Sequence, residues 1–292
     1  MCSAQGRAGL RSDGEHSCGG SITETKGDTR MKKIKVGIIG GTNGMGRWFA
    51  RLLKKEGCTV HVCGRKTKLK INDLVRLCNV VVVAVPISAT PEIIKQVGPL
   101  LSKDTLLMDL TSFKYEPVKL ILNNSQAEVI GCHPLFGPQL KDAAGQNVIL
   151  CPARGKKWMG WLKGVFKKNK MNVLEATPEG HDKMMAIVQA LNHFNTIILG
   201  MALAQTNIEL TEINRFSTPI LRAKLDIIKK VFTESPDMYI DIITGNPETG
   251  KMLDIYEKAL KDIRGKIKSG EKAKFKETVT KTAKKLYGNK NK

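Results

Sequence analysis

His133 stands in the stretch Gly131-Cys132-His133-Pro134-Leu135-Phe136-Gly137-Pro138, directly after the apolar pair Val129-Ile130. An imidazole takes or gives a proton near neutrality, so a histidine at the end of a strand pattern is a candidate general base. A histidine satisfied inside a core would have the same local sequence. What favours chemistry is the company it keeps. The segment Asp109-Leu110-Thr111-Ser112-Phe113-Lys114 also follows an apolar strand pattern, and it supplies a hydroxyl, Ser112, and an ammonium, Lys114. An imidazole so placed accepts a hydroxyl proton while hydride leaves the same substrate for a cofactor. Lys114 has two readings, a contributor to an anion-attracting field or a surface lysine.

A second group of residues suits a dinucleotide. Gly40-Gly41-Thr42-Asn43-Gly44-Met45-Gly46 joins the apolar run ending at Ile39 to a helical pattern containing Trp48, Phe49, Leu52 and Leu53. Aligned to G-x-G-x-x-G, the three glycine places fall on Gly41, Asn43 and Gly46. Small residues there let backbone N–H groups approach a pyrophosphate at the helix N-terminus. Asn43 departs from the pattern; asparagine tolerates left-handed backbone better than other side chains, so the turn is expected to survive. The following strand ends Cys63-Gly64-Arg65-Lys66, with no carboxylate for a ribose 2′-hydroxyl. Arg65 matches a 2′-phosphate instead, which favours NADP over NAD. Val85-Pro86 closes the next strand and joins the cofactor-binding set.

These residues need a scaffold that brings strand ends together. Strand patterns at 34–40, 59–63, 80–85, 105–110, 127–132, 147–151 and 171–176 alternate with helix patterns. Such alternation predicts an α/β, doubly wound, mostly parallel Rossmann-type sheet. Residues 80–85 contain five valines and one alanine, which suits a strand buried on both faces. The helix expected over 158–168 is basic, yet Trp158, Trp161, Leu162 and Phe166 would pack it on the sheet. After Thr177-Pro178 only helix patterns follow. Met184, Ile187, Leu191, Phe194, Ile198 and Met201 make an apolar seam suited to burial against another helix, including one in a second subunit. The expected organisation is a disordered extension over 1–30, a dinucleotide-binding domain over 31–177 and an all-helical substrate and dimerisation domain over 178–292.

Composition narrows the partners. The chain has 292 residues, 41% apolar and 26% charged, with a net charge of +21. Residues 261–292 carry 12 Lys/Arg against 3 Asp/Glu, but Phe275 and Tyr287 are too few aromatics for base stacking. Nucleic acid is therefore not the expected partner. No uninterrupted apolar run reaches the ~18–20 residues of a membrane span. The seven cysteines show neither Cys-x-x-Cys nor metal-ligand spacing, which reads as reduced thiols in a cytoplasmic protein without a bound metal.

Four spaced stretches, "GCHPLFGP", "DLTSFK", "HDKMMAIVQALNHF" and "STPILRAKLDII", resemble the prephenate dehydrogenase family, over about residues 34–287. The resemblance implies oxidative decarboxylation of prephenate to 4-hydroxyphenylpyruvate with NAD(P)⁺ in tyrosine biosynthesis, by a homodimer. It implies that His133 is the general base on the 4-hydroxyl and that Ser112 orients that hydroxyl and His133. It further implies that Arg222 holds a substrate carboxylate and that His193 lines the pocket from the helical half. His181-Asp182 belongs to the same pattern and is read as helix-start architecture. Arogenate dehydrogenase, another NADP-linked oxidoreductase of this fold, and a non-enzymatic binding module using the basic tail remain as alternatives.

Overall fold

The computed structural model describes residues 33–288, so the extension expected over 1–30 lies outside the described residues. Seven strands form one sheet in the order β2-β1-β3-β4-β5-β6-β7. They are β1 (Lys35–Ile39), β2 (Thr59–Cys63), β3 (Val80–Val83), β4 (Leu106–Asp109), β5 (Glu128–Pro134), β6 (Asn147–Arg154) and β7 (Asn172–Glu175). All pairings are parallel except β5 with β6, which places His133 opposite Ile149. A strand buried on both faces reads alike in either direction, which is why the pattern did not disclose the reversal. Five helices cover the sheet: α1 (Gly44–Lys55), α2 (Ile71–Leu77), α3 (Thr90–Val97), α4 (Tyr115–Asn124) and α5 (Lys157–Lys168).

Period-two alternation divides the core into two layers. Val80, Val82, Leu106 and Met108 pack with Phe49 and Leu53 of α1 and with Leu162 and Phe166 of α5. Val81, Val83, Leu107 and Val129 pack with Leu74, Ile94 and Ile121 from α2, α3 and α4. Phe49 is fully buried, and truncating such a ring to alanine costs about 3–5 kcal/mol. In α5, Trp158, Leu162 and Phe166 are buried as expected, and the Trp158 indole donates to the Asp104 carbonyl at 2.9 Å.

Thr177 starts the helical half: its hydroxyl accepts from the Gly180 N–H at 3.1 Å, and Pro178 occupies the first helical turn. A continuous helix then runs from Pro178 to Ala204, through α6 (Pro178–Met185), a π-helical segment (Ala186–Leu191) and α7 (Asn192–Ala204). By length and average composition this helix could span a membrane, although Gln189, Asn192, His193 and Asn195 interrupt its apolar runs. The helices α8 (Leu210–Arg215), α9 (Pro219–Thr233), α10 (Pro236–Gly245), α11 (Thr249–Lys268) and α12 (Lys272–Tyr287) follow. From Lys33 onward the chain is one compact unit.

Two contacts fix the helical half on the sheet near His133. Met185 of α6 packs with Ile149 and Cys151 of β6. At the end of α10, Gly245 lies so close to the Phe113 ring that a Cβ there would sit 2.7 Å from it, and the Asn246 amide donates to the Asp182 carbonyl at 2.8 Å. Other apolar positions are left open within one chain: Met184, Ile187, Ile198 and Met201 of the seam are exposed, and Phe216 is 80% exposed.

Candidate active site

Parallel pairing puts the ends of β1, β3, β4 and β5 on one edge of the sheet. Strand order reverses at β1, flanked by β2 and β3, and the crevice at such a switch point is where ligands bind in open α/β sheets. The glycine turn occupies that point. Gly40 has φ +85°, and a Cβ on it would lie 2.3 Å from the Ala84 carbonyl oxygen and 3.0 Å from the Val85 nitrogen. A Cβ on Gly46 would meet the Gly40 carbonyl oxygen at 2.6 Å. The turn therefore admits no side chain at either position, and α1 starts hard against the strand end. Gly41 is buried, Thr42, Asn43 and Gly44 are exposed, and Met45 packs partly on the core.

The expectation for Asn43 needs correcting. Its backbone is extended, with φ −138° and ψ 175°, and it precedes the first helical residue of α1. Its neighbour Gly44 takes the left-handed backbone instead, at φ +52°. Asparagine is tolerated because its site requires no unusual backbone, not because it adopts a left-handed one. Its side chain makes no capping hydrogen bond, so its amide is not spent on the helix.

Arg65 is exposed beyond β2, in a turn closed by Thr67, whose hydroxyl pairs with both Gly64 N and Gly64 O at 2.9 Å. Gly64 backs onto Thr42, with a built Cβ 3.0 Å from Thr42 Cγ2. The Arg65 turn thus backs onto the glycine turn, and residues 58–72 contain no carboxylate. Val85 is half-buried and Pro86 exposed at the end of β3. This cradle, emptied of side chains, fits the diphosphate of a nicotinamide dinucleotide.

His133 is a member of β5 rather than a residue beyond its mouth, and it is 4% exposed. Its Nδ1 lies 2.9 Å from His181 Nε2, and its Nε2 lies 3.4 Å from the Gln189 amide nitrogen. The His181 Nδ1 in turn is 2.7 Å from Asp182 Oδ1. Burial, then the Lys114 charge, then His181 hold the His133 pKa well below the usual 6.5, so the imidazole is neutral at neutral pH. Cys132 and Cys151 flank it on paired strands and are buried; burial raises the Cys132 thiol strongly and pushes Cys151 up to about 12.

Lys114 corrects both readings made of it. It is fully buried, neither at the surface nor open to an anion. Its ammonium pairs with Asp109 and donates to the Cys132 carbonyl at 3.1 Å. Gly131 makes room for its stem, since a Cβ there would lie 2.8 Å from Lys114 Cδ. The lysine acts on His133 from behind, as a fixed charge opposing protonation.

Ser112 is half-buried on the loop after β4, and no hydrogen bond joins it to His133 among the described residues. His193 stands about one turn beyond Gln189, its ring edge-on to Tyr239 at 4.8 Å between centroids; burial lowers its pKa. Arg222 is exposed on the first turn of α9. No hydrogen bond among the described residues ties Arg222 or His193 to His133, so the structure brings together His133, His181, Asp182 and Gln189 rather than the set named from sequence. The missed signal is spacing: His181 and Met185, four residues apart, are both buried, which marks one face of α6 as turned inward.

Residues 49–175 match the family model described as "Prephenate dehydrogenase, nucleotide-binding domain", and residues 177–281 match "Prephenate dehydrogenase, dimerization domain". A protein of Methanocaldococcus jannaschii named probable arogenate/prephenate dehydrogenase is 34% identical over 270 residues, covering 86% of this chain and 60% of the relative. The T-protein of Enterobacter agglomerans is 30% identical over 240 residues, covering 82% and 64%. The chain thus spans about 60% of the length of these relatives. Among solved structures, the Aquifex aeolicus prephenate dehydrogenase complex with hydroxyphenyl propionate and NAD⁺ superposes with TM-score 0.68 at 22% identity, over 88% of this chain and 98% of the other. The Synechocystis arogenate dehydrogenase superposes with TM-score 0.67 at 17% identity, over 85% and 97%. The two superpositions establish a shared fold.

Proposed function

The chain belongs to the prephenate dehydrogenase family, and on that premise we propose that it converts prephenate to 4-hydroxyphenylpyruvate with loss of CO₂ and reduction of NADP⁺. The observation that carries this reading is His133, a neutral buried imidazole on the same sheet edge as the glycine cradle. A bound nicotinamide supplies the acceptor for the hydride that leaves ring carbon C4. His133 Nε2 takes the proton of the 4-hydroxyl as that C–H bond breaks. Departure of CO₂ from C1 leaves its electron pair to complete the aromatic ring, and the proton returns to the ring oxygen. The base must be unprotonated to start, which burial and the Lys114 charge ensure.

Ser112 orients the 4-hydroxyl, its own hydroxyl having no partner among the described residues. Arg222 offers an exposed two-pronged fork for a substrate carboxylate, and His193 lines the pocket beside Gln189. Arg65, next to the Thr42 turn with no acidic competitor, supports NADP⁺ over NAD⁺. The open apolar residues Ile187, Ile198 and Met201 support a homodimer formed through the helical half. The free, buried cysteines suit a reducing, cytoplasmic setting.

An absorbance assay of nicotinamide reduction tests the reading, with prephenate and arogenate each offered with NADP⁺ and NAD⁺. Prephenate with NADP⁺ is expected to be fastest. A folded protein silent in all four combinations would overturn the enzyme reading, and NAD⁺ far ahead of NADP⁺ would overturn the role of Arg65 alone.

A further inference from the structure

We propose that Asp182 and His181 are positioning residues that fix the tautomer of His133, so that its Nε2 carries the lone pair. The hydrogen bonds are fixed from Asp182 inward. Its Oδ1 accepts the Lys114 N–H at 2.7 Å, and its Oδ2 accepts the Tyr115 N–H at 2.9 Å. Both donors belong to the N-terminus of α4, whose first N–H groups have no partner within the helix. With a backbone donor facing each oxygen, Asp182 can only accept from its third neighbour, so His181 Nδ1 must carry the hydrogen in their 2.7 Å contact. With this one ring hydrogen on Nδ1, His181 has a bare Nε2. His133 Nδ1, 2.9 Å away, must donate to it. The hydrogen of the His133 ring is thereby committed to Nδ1 and Nε2 is left bare.

The far side of the ring agrees. Nε2 faces the Gln189 amide nitrogen at 3.4 Å, a donor, and Gln189 Oε1 is buried without a partner. Gln189 lies in the π-helical segment, an irregularity that often marks functional sites. The same chain receives charge: when Nε2 gains a proton, the cation shares its Nδ1 hydrogen with His181, which leans on the Asp182 carboxylate. Lys114 keeps the resting ring neutral, and Asp182, acting through His181, supports the ring once charged.

This assignment rests on His133 being the base, but its test reads the ring directly. Protein labelled with ¹⁵N-histidine, with His133 signals identified by their loss in His133→Gln, is expected to show a pyrrole-type Nδ1 and a pyridine-type Nε2. In His181→Gln the amide can donate to Asp182 and accept from His133, so the tautomer and most turnover should survive. His181→Leu removes the acceptor, moves the hydrogen to Nε2, and lowers kcat on the order of 10²-fold while NADP⁺ affinity holds. A wild-type His133 bearing hydrogen on Nε2 would overturn the proposal, as would a His181→Leu variant that retains the wild-type tautomer. Should the wild-type protein show the expected tautomer yet leave prephenate untouched, the assignment would stand and the substrate reading would fall.

Discussion

The two ends of the site are built by opposite means. At the β1–α1 turn the structure removes side chains: Gly40 and Gly46 leave backbone against backbone, with no room for a Cβ. At β5 it accumulates ionisable side chains instead, with His133, His181, Asp182, Asp109 and Lys114 all buried. The first end is a shape, and it fails when an atom is added. The second is a pattern of hydrogens and charges, and it fails when one is removed or turned around. Four experiments break or sharpen this contrast.

The largest effect should come from His133→Gln. Turnover is expected to drop about 10²–10⁴-fold, the usual worth of a general base, while a fluorescence titration shows NADP⁺ binding unchanged because the glycine end is untouched. Next, Lys114→Met should leave Asp109 buried without its cation, held only by the Thr111 N–H and hydroxyl. Breaking a pair of this kind costs about 3–5 kcal/mol, visible as an earlier urea midpoint; an unchanged midpoint would refute the buried pair.

A smaller change is expected from Arg65→Ser. Loss of a charged hydrogen bond is worth about 1.5–3 kcal/mol, so NADP⁺ should bind roughly 10–100-fold more weakly with NAD⁺ unaffected. The gentlest effect is on stability against pH. His133 has a folded pKa below its unfolded value of about 6.5. The unfolded chain therefore binds more protons as pH falls through that value, and stability present above it is lost below, by at most ~1.4 kcal/mol per pH unit. Thermal melts should show this slope in the wild type and a flatter one in His133→Gln.

The contrast also explains what could be read from sequence. The glycine turn was legible because its parts are consecutive and its neighbours, a strand and an amphipathic helix, are local patterns. The seven strands were legible for the same reason. The histidine relay was not, because His133 and His181 are 48 residues apart and meet only after Met185 docks α6 on β6. Lys114 was misplaced because lysine is rarely buried, and nothing local announces that Gly131 will make room for it or that Asp109 will pair with it. Asn43 was rationalised with the wrong backbone, since which of two adjacent residues takes positive φ depends on how the helix starts against β3.

Cys132 and Cys151, near His133 on the paired strands β5 and β6, carry a last consequence. Thiols held protonated and out of solvent are poor nucleophiles, so peroxide or iodoacetamide should leave this site intact at neutral pH. Both sulfurs are fully buried in the sheet, so a reagent that modified them in the folded protein would report local opening of β5 and β6.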